Sequence, residues 1–259
     1  MKRIRGKARL LVGYLVLLAL SYLIWGLLPP AGRPTDGEKT KLLAFDNREE
    51  LHIAYRAWGD PADPVVLLLH GSPDIKNSLH GLAERLAAGG FHVLRPDLPG
   101  FGASTRDPAD PGIAAQARWM SRFLSEGGWE KAHVAGFSMG GGVAIELARQ
   151  APERVRSLSL LSGLGVQELE LFGDYHLNHA VHRLQFGLLL AARYALPHFG
   201  MFPRQPFHLG YARQFLQSDQ RPIRRYLRRW DKPVWIFHGK SDGLVPVEAA
   251  REHARLLPQ

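Results

Sequence analysis

Ser138 stands in Gly136-Phe137-Ser138-Met139-Gly140, a G-x-S-x-G pentapeptide between the apolar run Ala132–Ala135 and the amphipathic stretch Met139–Arg149. A serine at a strand-to-helix turn with this spacing suits nucleophilic catalysis. The turn is sharp and holds the serine in a strained conformation, so its neighbours must be small. Gly136, Gly140 and Gly141 supply that space. The helix opening at Met139 also aims the positive end of its dipole at the serine, which favours an oxyanion. A serine hydroxyl is a weak nucleophile at neutral pH, so the same chemistry needs a base.

An oxyanion needs two N–H donors. The N–H following the nucleophile belongs to Met139. The second should come from the loop after the buried run Val65–Leu69, which reads His70-Gly71-Ser72-Pro73-Asp74. Ser72 is that candidate, through its backbone rather than its hydroxyl, with His70 and Gly71 as supporting residues.

Four segments in order carry a resemblance: HGSPD from His70, RPDLPGFGAS from Arg95 to Ser104, GFSMGG from Gly136, and HGKSDGLVP from His238. The chain resembles the α/β-hydrolase fold superfamily, in its serine esterase and lipase-like branch, over residues 41–259. That resemblance implies a carboxylic ester hydrolase working through an acyl-enzyme on Ser138, with no metal or organic cofactor. It makes Asp242, just past the strand Val234–His238, the triad acid that orients a histidine. Asp97 reads as a structural loop residue. A carbon–carbon bond hydrolase or aminopeptidase on the same scaffold stays open, as does a non-catalytic membrane-tethered binding module. The branch with an aspartate nucleophile is disfavoured by the serine at 138.

The order serine, acid, histidine places the base after Asp242. His253 is the only histidine there, within the helical stretch Val247–Leu257. It is expected on a surface face and out of reach of Ser138. In relatives such a helix is followed by an edge strand and a loop carrying the histidine. The sequence is therefore expected to be C-terminally incomplete, with both beyond Gln259.

The elements that must position these residues read as alternating strands and helices, the pattern of a mostly parallel sheet covered on both faces. Strands are expected at Lys41–Phe45, His52–Ala57, Val65–His70, His92–Pro96, Ala132–Ala135, Ser157–Leu161 and Val234–His238. Val65–Leu69 and Val234–Phe237 are continuous apolar runs, expected to be buried on both faces. Helices are expected at Leu79–Ala88, Ile113–Ser125 and Met139–Arg149. Residues 166–230 break the alternation and read as a helical lid over a pocket. Within them His176, His179 and His182 are spaced three apart. A polar lid face is the preferred reading of that triplet over metal ligation.

The 259 residues carry a net charge of +9 and no cysteine, which excludes disulfides, thiolate metal sites and a cysteine nucleophile. The charge is local. Lys2, Arg3, Arg5, Lys7 and Arg9 form one cluster, and Arg221, Arg224, Arg225, Arg228, Arg229 and Lys232 another. Setting these and Asp231 aside leaves 22 basic against 23 acidic residues, so nothing points to nucleic acid. The second cluster reads as a solvated helix face, or one near anionic headgroups.

The first cluster precedes Leu10–Leu28, nineteen residues without a charge. At about 1.5 Å per residue these would cross most of a hydrocarbon core roughly 30 Å thick. A cleavable signal peptide would have a shorter apolar region and a small-residue cleavage site. The expected order is a basic cytoplasmic tail at 1–9, a transmembrane anchor at 10–28 and a linker at 29–40. The hydrolase domain, 41–259, would then lie on the extracytoplasmic side of a single-pass membrane protein. The expected ligand is a small-molecule or lipid-like ester.

Overall fold

The computed structural model describes residues 2–27, 37, 39–44, 50–72, 79–166, 169, 173–199 and 207–258. Most of the linker expected at 29–40 lies outside them, as do Pro73 and Asp74 of the HGSPD segment.

One helix, α1 (Lys2–Leu27), precedes the sheet and runs through the basic cluster as well as the apolar stretch. Seven strands follow: β1 (Lys39–Ala44), β2 (Glu50–Trp58), β3 (Val65–Leu69), β4 (His92–Pro96), β5 (Ala132–Phe137), β6 (Val155–Leu161) and β7 (Val234–Phe237). Lys39 and Thr40, expected in the linker, open β1 instead. The sheet order is β1-β2-β4-β3-β5-β6-β7. β1 and β2 join antiparallel, and β4, β3, β5, β6 and β7 run parallel to one another. The strand order reverses around β3, which lies between β4 and β5. In open α/β sheets, ligand crevices form at the carboxyl ends of strands beside such a reversal.

Side chains alternate along β3 and feed two cores. Leu67 and Leu69 join Trp119, Met120 and Phe123 of α3 (Ile113–Glu126) and Val143 and Leu147 of α4 (Met139–Gln150). Val66 and Leu68 face the other way, onto Ala83 of α2 (His80–Ala88) with Leu79, Val93 and Ala135. β3 is therefore buried on both faces, as its unbroken apolar sequence requires. Between β6 and β7 lie α5 (Tyr175–Ala195), α6 (Phe207–Leu216) and α7 (Ile223–Leu227), and α8 (Val247–Leu256) follows β7.

The expectation for β7 fails. Its residues alternate between half-buried and exposed, with Trp235 50% and Phe237 58% accessible. Val234 and Ile236 pack against Ile223, Leu227 and Leu256, whereas on the α2 side no described helix reaches β7. Instead a groove of about 420 Å³ runs along that face, walled by Leu82, Leu86, Phe91, Leu161, Trp235 and Phe237. β7 pairs with β6 alone among the described strands.

Candidate active site

Ser138 occupies the turn between β5 and α4 with φ 52° and ψ −119°, in the region that side-chain-bearing residues rarely adopt. Three hydrogen bonds hold it there. Its N–H donates to the Leu161 carbonyl at 3.0 Å, and its own carbonyl accepts from Gly141 and Leu164, each at 2.9 Å. The strain is fixed by the end of β6, the first turn of α4 and the loop after β6.

Close packing explains the glycines. A β-carbon on Gly136 would stand 2.2 Å from the Gly140 carbonyl oxygen, and one on Gly140 would stand 2.5 Å from that of Leu69. A β-carbon on Gly71 would be 2.9 Å from Cβ of Ser138, so the loop after β3 lies directly against the serine. Met139 opens α4, so its N–H is among the first-turn donors that have no partner inside the helix. The Ser72 hydroxyl is shielded from solvent and takes part in no hydrogen bond.

His70 is fully buried and has a structural task. The Leu98 N–H donates to its Nε2 at 2.9 Å, so the proton is on Nδ1, which donates to the Gly71 carbonyl at 2.7 Å. Both ring nitrogens are used, and the ring ties the loop after β3 to the loop after β4. Asp97 closes that second loop by accepting from the Ala103 N–H at 2.8 Å.

Asp242 follows β7. Its Oδ1 accepts from the N–H groups of Leu244 and Val245, both at 3.0 Å, and its carboxylate also bonds the Ser162 hydroxyl. Burial works to raise its pKa. The Val245 and Leu244 amides, the Ser162 hydroxyl and nearby His238 outweigh that and hold the carboxyl below its usual range. Ser162 directly follows Leu161, the residue that anchors Ser138, so the end of β6 links the serine turn to the aspartate. Neither Ser162 nor Leu164 stands out in the sequence as a site residue. Their signal is the small-residue stretch Ser162-Gly163-Leu164-Gly165 at a strand end.

The histidines differ from expectation. His238 directs Nε2 to the Val245 carbonyl at 2.7 Å and lies 3.9 Å from Asp242, with Nδ1 buried and unpartnered. His253 is not on a surface face of α8. It is 1% accessible, on the face with Ala249, Ala250 and Leu256, and its Nε2 has no hydrogen-bond partner. Desolvation, reinforced by His238 and Arg224 and opposed by Glu252, lowers its pKa to about 4. Among the described residues no histidine hydrogen-bonds Ser138.

The triplet in α5 is not a polar face either. His182 is buried and stacks on Phe215 at 3.8 Å, His179 packs on Tyr175, and only His176 is exposed. No cluster of three potential metal ligands exists among the described residues. The basic cluster at 221–232 is more than a solvated face, because Arg224 pairs with Glu252 at 3.1 Å and Lys232 caps the carbonyls of Pro152 and Val155.

Residues 64–177 match the family described as alpha/beta hydrolase fold. A 2-hydroxymuconate semialdehyde hydrolase of Pseudomonas putida is 30% identical over 239 residues, 84% of this chain and 82% of its own length. The acetyltransferase component of the acetoin cleaving system of Cupriavidus necator is 37% identical over 146 residues, 56% of this chain. The chain spans less than two fifths of the length of that protein and of the mycobacterial proteins that match next. Among solved structures, a bacterial membrane phospholipase A superposes with a TM-score of 0.63 at 26% identity, covering 100% of this chain and 89% of the other.

Proposed function

This chain belongs to the α/β-hydrolase fold family, and from that premise we propose that it is a serine hydrolase cleaving carboxylic esters at Ser138. The observation that carries the reading is the backbone of Ser138, held at φ 52° by three hydrogen bonds where a strand meets a helix. Such strain is a cost with no folding benefit of its own, and it projects a hydroxyl out of the turn. In the proposed reaction Oγ attacks the ester carbonyl while a histidine oriented by Asp242 takes the proton. The backbone N–H groups of Ser72 and Met139 hold the oxyanion. The alcohol leaves with the proton returned by the histidine, and water then releases the acid from Ser138.

The expected result is that a fluorophosphonate probe labels the full chain and fails to label Ser138→Ala. Equal labelling of both proteins would end the assignment. The Pseudomonas putida relative supports a second reading, carbon–carbon bond hydrolysis on the same serine. Product analysis separates the two, since ester hydrolysis releases an acid and an alcohol, whereas carbon–carbon hydrolysis releases an acid and a fragment with a new C–H bond.

We also propose that α1 is a membrane anchor with the hydrolase body on the extracytoplasmic side. Arg9–Leu27 is long and apolar enough to cross a bilayer, and only 6% of it is buried against the protein. The protein is expected to sediment with membranes and to resist extraction by alkaline carbonate, whereas deletion of residues 1–28 releases it. Full-length protein in the carbonate supernatant would refute the anchor.

A further inference from the structure

A cavity of about 220 Å³ lies between the loop 100–111 and the facing sides of α5 and α6. Phe101, Phe186 and Leu190 give it apolar walls, and Arg106, Arg193 and Arg213 line it against a single carboxylate, Asp107. Arg213 engages Asp107 at 2.9 Å and donates to the Ala109 carbonyl at 3.0 Å, so this pair is satisfied. Arg106 is not. Its Nε is shielded from solvent and unpartnered, and the Nε of Arg193 is in the same state. Burial lowers the pKa of Arg106, with the Asp97 carboxylate only partly opposing it. Shielded guanidinium donors without acceptors are unfavourable unless a ligand completes them.

The cavity's position supplies the rest. Its Arg193 wall belongs to the last turn of α5, the turn against which α1 packs. Tyr22 donates to the Arg193 carbonyl at 3.0 Å, and the Arg193 guanidinium stands 5.2 Å from the centre of the Trp25 ring. Just beyond, the Ser21 hydroxyl accepts from the N–H groups of His198 and Phe199. Along α5, Leu184 and Leu188 are 65% and 62% exposed one turn apart, an apolar ridge on the helix whose last turn meets α1. On the inner side, the ring of Phe101 lies 5.4 Å from that of His70, whose neighbour Gly71 abuts Ser138. The cavity thus lies between the α5 turn on which α1 packs and Phe101, whose ring touches the histidine that holds the loop beside Ser138.

We propose that this cavity binds the anionic head of a membrane amphiphile, a phosphate or carboxylate carried on an acyl chain, with Arg106 and Arg193 as its cationic partners. The proposal rests on the reading of α1 as a membrane anchor, and it gives the ester substrate a class: anionic and bilayer-resident. A guanidinium donates in a plane that matches phosphate and carboxylate oxygens, and the phenylalanine walls fit the first carbons of the chain.

The test is equilibrium titration of the full chain carrying Ser138→Ala, so that neither ester is cleaved, in neutral detergent with dihexanoyl phosphatidic acid, dihexanoylglycerol and inorganic phosphate. The anionic lipid is expected to bind about tenfold or more tighter than the neutral one, with no binding of inorganic phosphate. Arg106→Gln is expected to remove about tenfold of that affinity and leave the neutral lipid within about twofold, while Arg106→Lys recovers part of the loss. Equal affinity for the two lipids overturns the proposal. So does an Arg106→Gln protein that binds the anion unchanged or loses both lipids alike, and so does inorganic phosphate binding as tightly as the lipid. Binding is independent of turnover, so fluorophosphonate labelling of Ser138 reports separately on the hydrolase reading and carbonate extraction on the anchor.

Discussion

Gly136→Ala is expected to destabilise the protein by roughly 3 kcal/mol or more, enough to unfold a domain of ordinary stability. The added methyl would meet the Gly140 carbonyl oxygen at 2.2 Å, the Gly140 carbonyl carbon at 2.4 Å and the Gly141 nitrogen at 2.6 Å. All three are backbone atoms, so no side chain can rotate away. They belong to the first turn of α4, in which every residue from Met139 to Ala148 is buried. Relief would require the whole helix to lift from β5, breaking contacts on both sides of the main core. Gly81→Ala is the control, since a β-carbon there meets nothing within 4 Å on the exposed side of α2. That change should be neutral or stabilising by up to about 1 kcal/mol. Denaturant midpoints of the two variants measure the difference, and equal midpoints would show that the elbow is not packed as described.

A second large effect concerns acid. The pKa of His253 falls from 6.5 to about 4 on folding, because burial disfavours its charged form. Between those values the unfolded chain binds a proton that the folded chain does not. The stability linked to the neutral ring is therefore complete above about pH 6.5 and is lost as pH falls toward 4, by roughly 3 kcal/mol in total. His253→Leu keeps a buried side chain of similar size and removes the titration. Unfolding free energies at pH 7 and pH 4 should fall more steeply for the parent than for the variant, by about that amount. Carboxylates such as Asp242 and Asp219, held below their usual range, add acid sensitivity that both proteins share. Parallel curves would mean that His253 is already solvated.

The strands were legible because each is a short apolar run between turn residues, and all seven lie within two or three residues of their expected places. What the apolar runs do not encode is whether a partner covers them. Val234–Phe237 and Val65–Leu69 read alike, yet among the described strands one lies at the edge and the other at the centre, a distinction made by elements far away in sequence. His253 departs from expectation for a different reason. The spacing of Ala249, Ala250, His253 and Leu256 marks one helical face, so its burial was written locally and outvoted by its polarity. The stacking of His182 on Phe215 joins α5 to α6 and has no local signature. The serine turn was the most readable feature, since steric exclusion leaves only glycine at Gly136 and Gly140.

The bare face of β7 has a consequence for handling the molecule. Among the described residues only β6 pairs with β7, so its other edge, beside exposed Trp235 and Phe237, is a template for a further strand of the same polypeptide or of another. Two copies meeting at this edge would join their sheets and bury their indole and phenyl rings together, a two-fold contact that uses up both edges. The concentration at which the body clouds in detergent-free buffer would then be governed by this one strand and not by melting temperature. A lysine in place of Trp235 would act as a gatekeeper, raising colloidal limits while leaving the fold's cohesion unchanged.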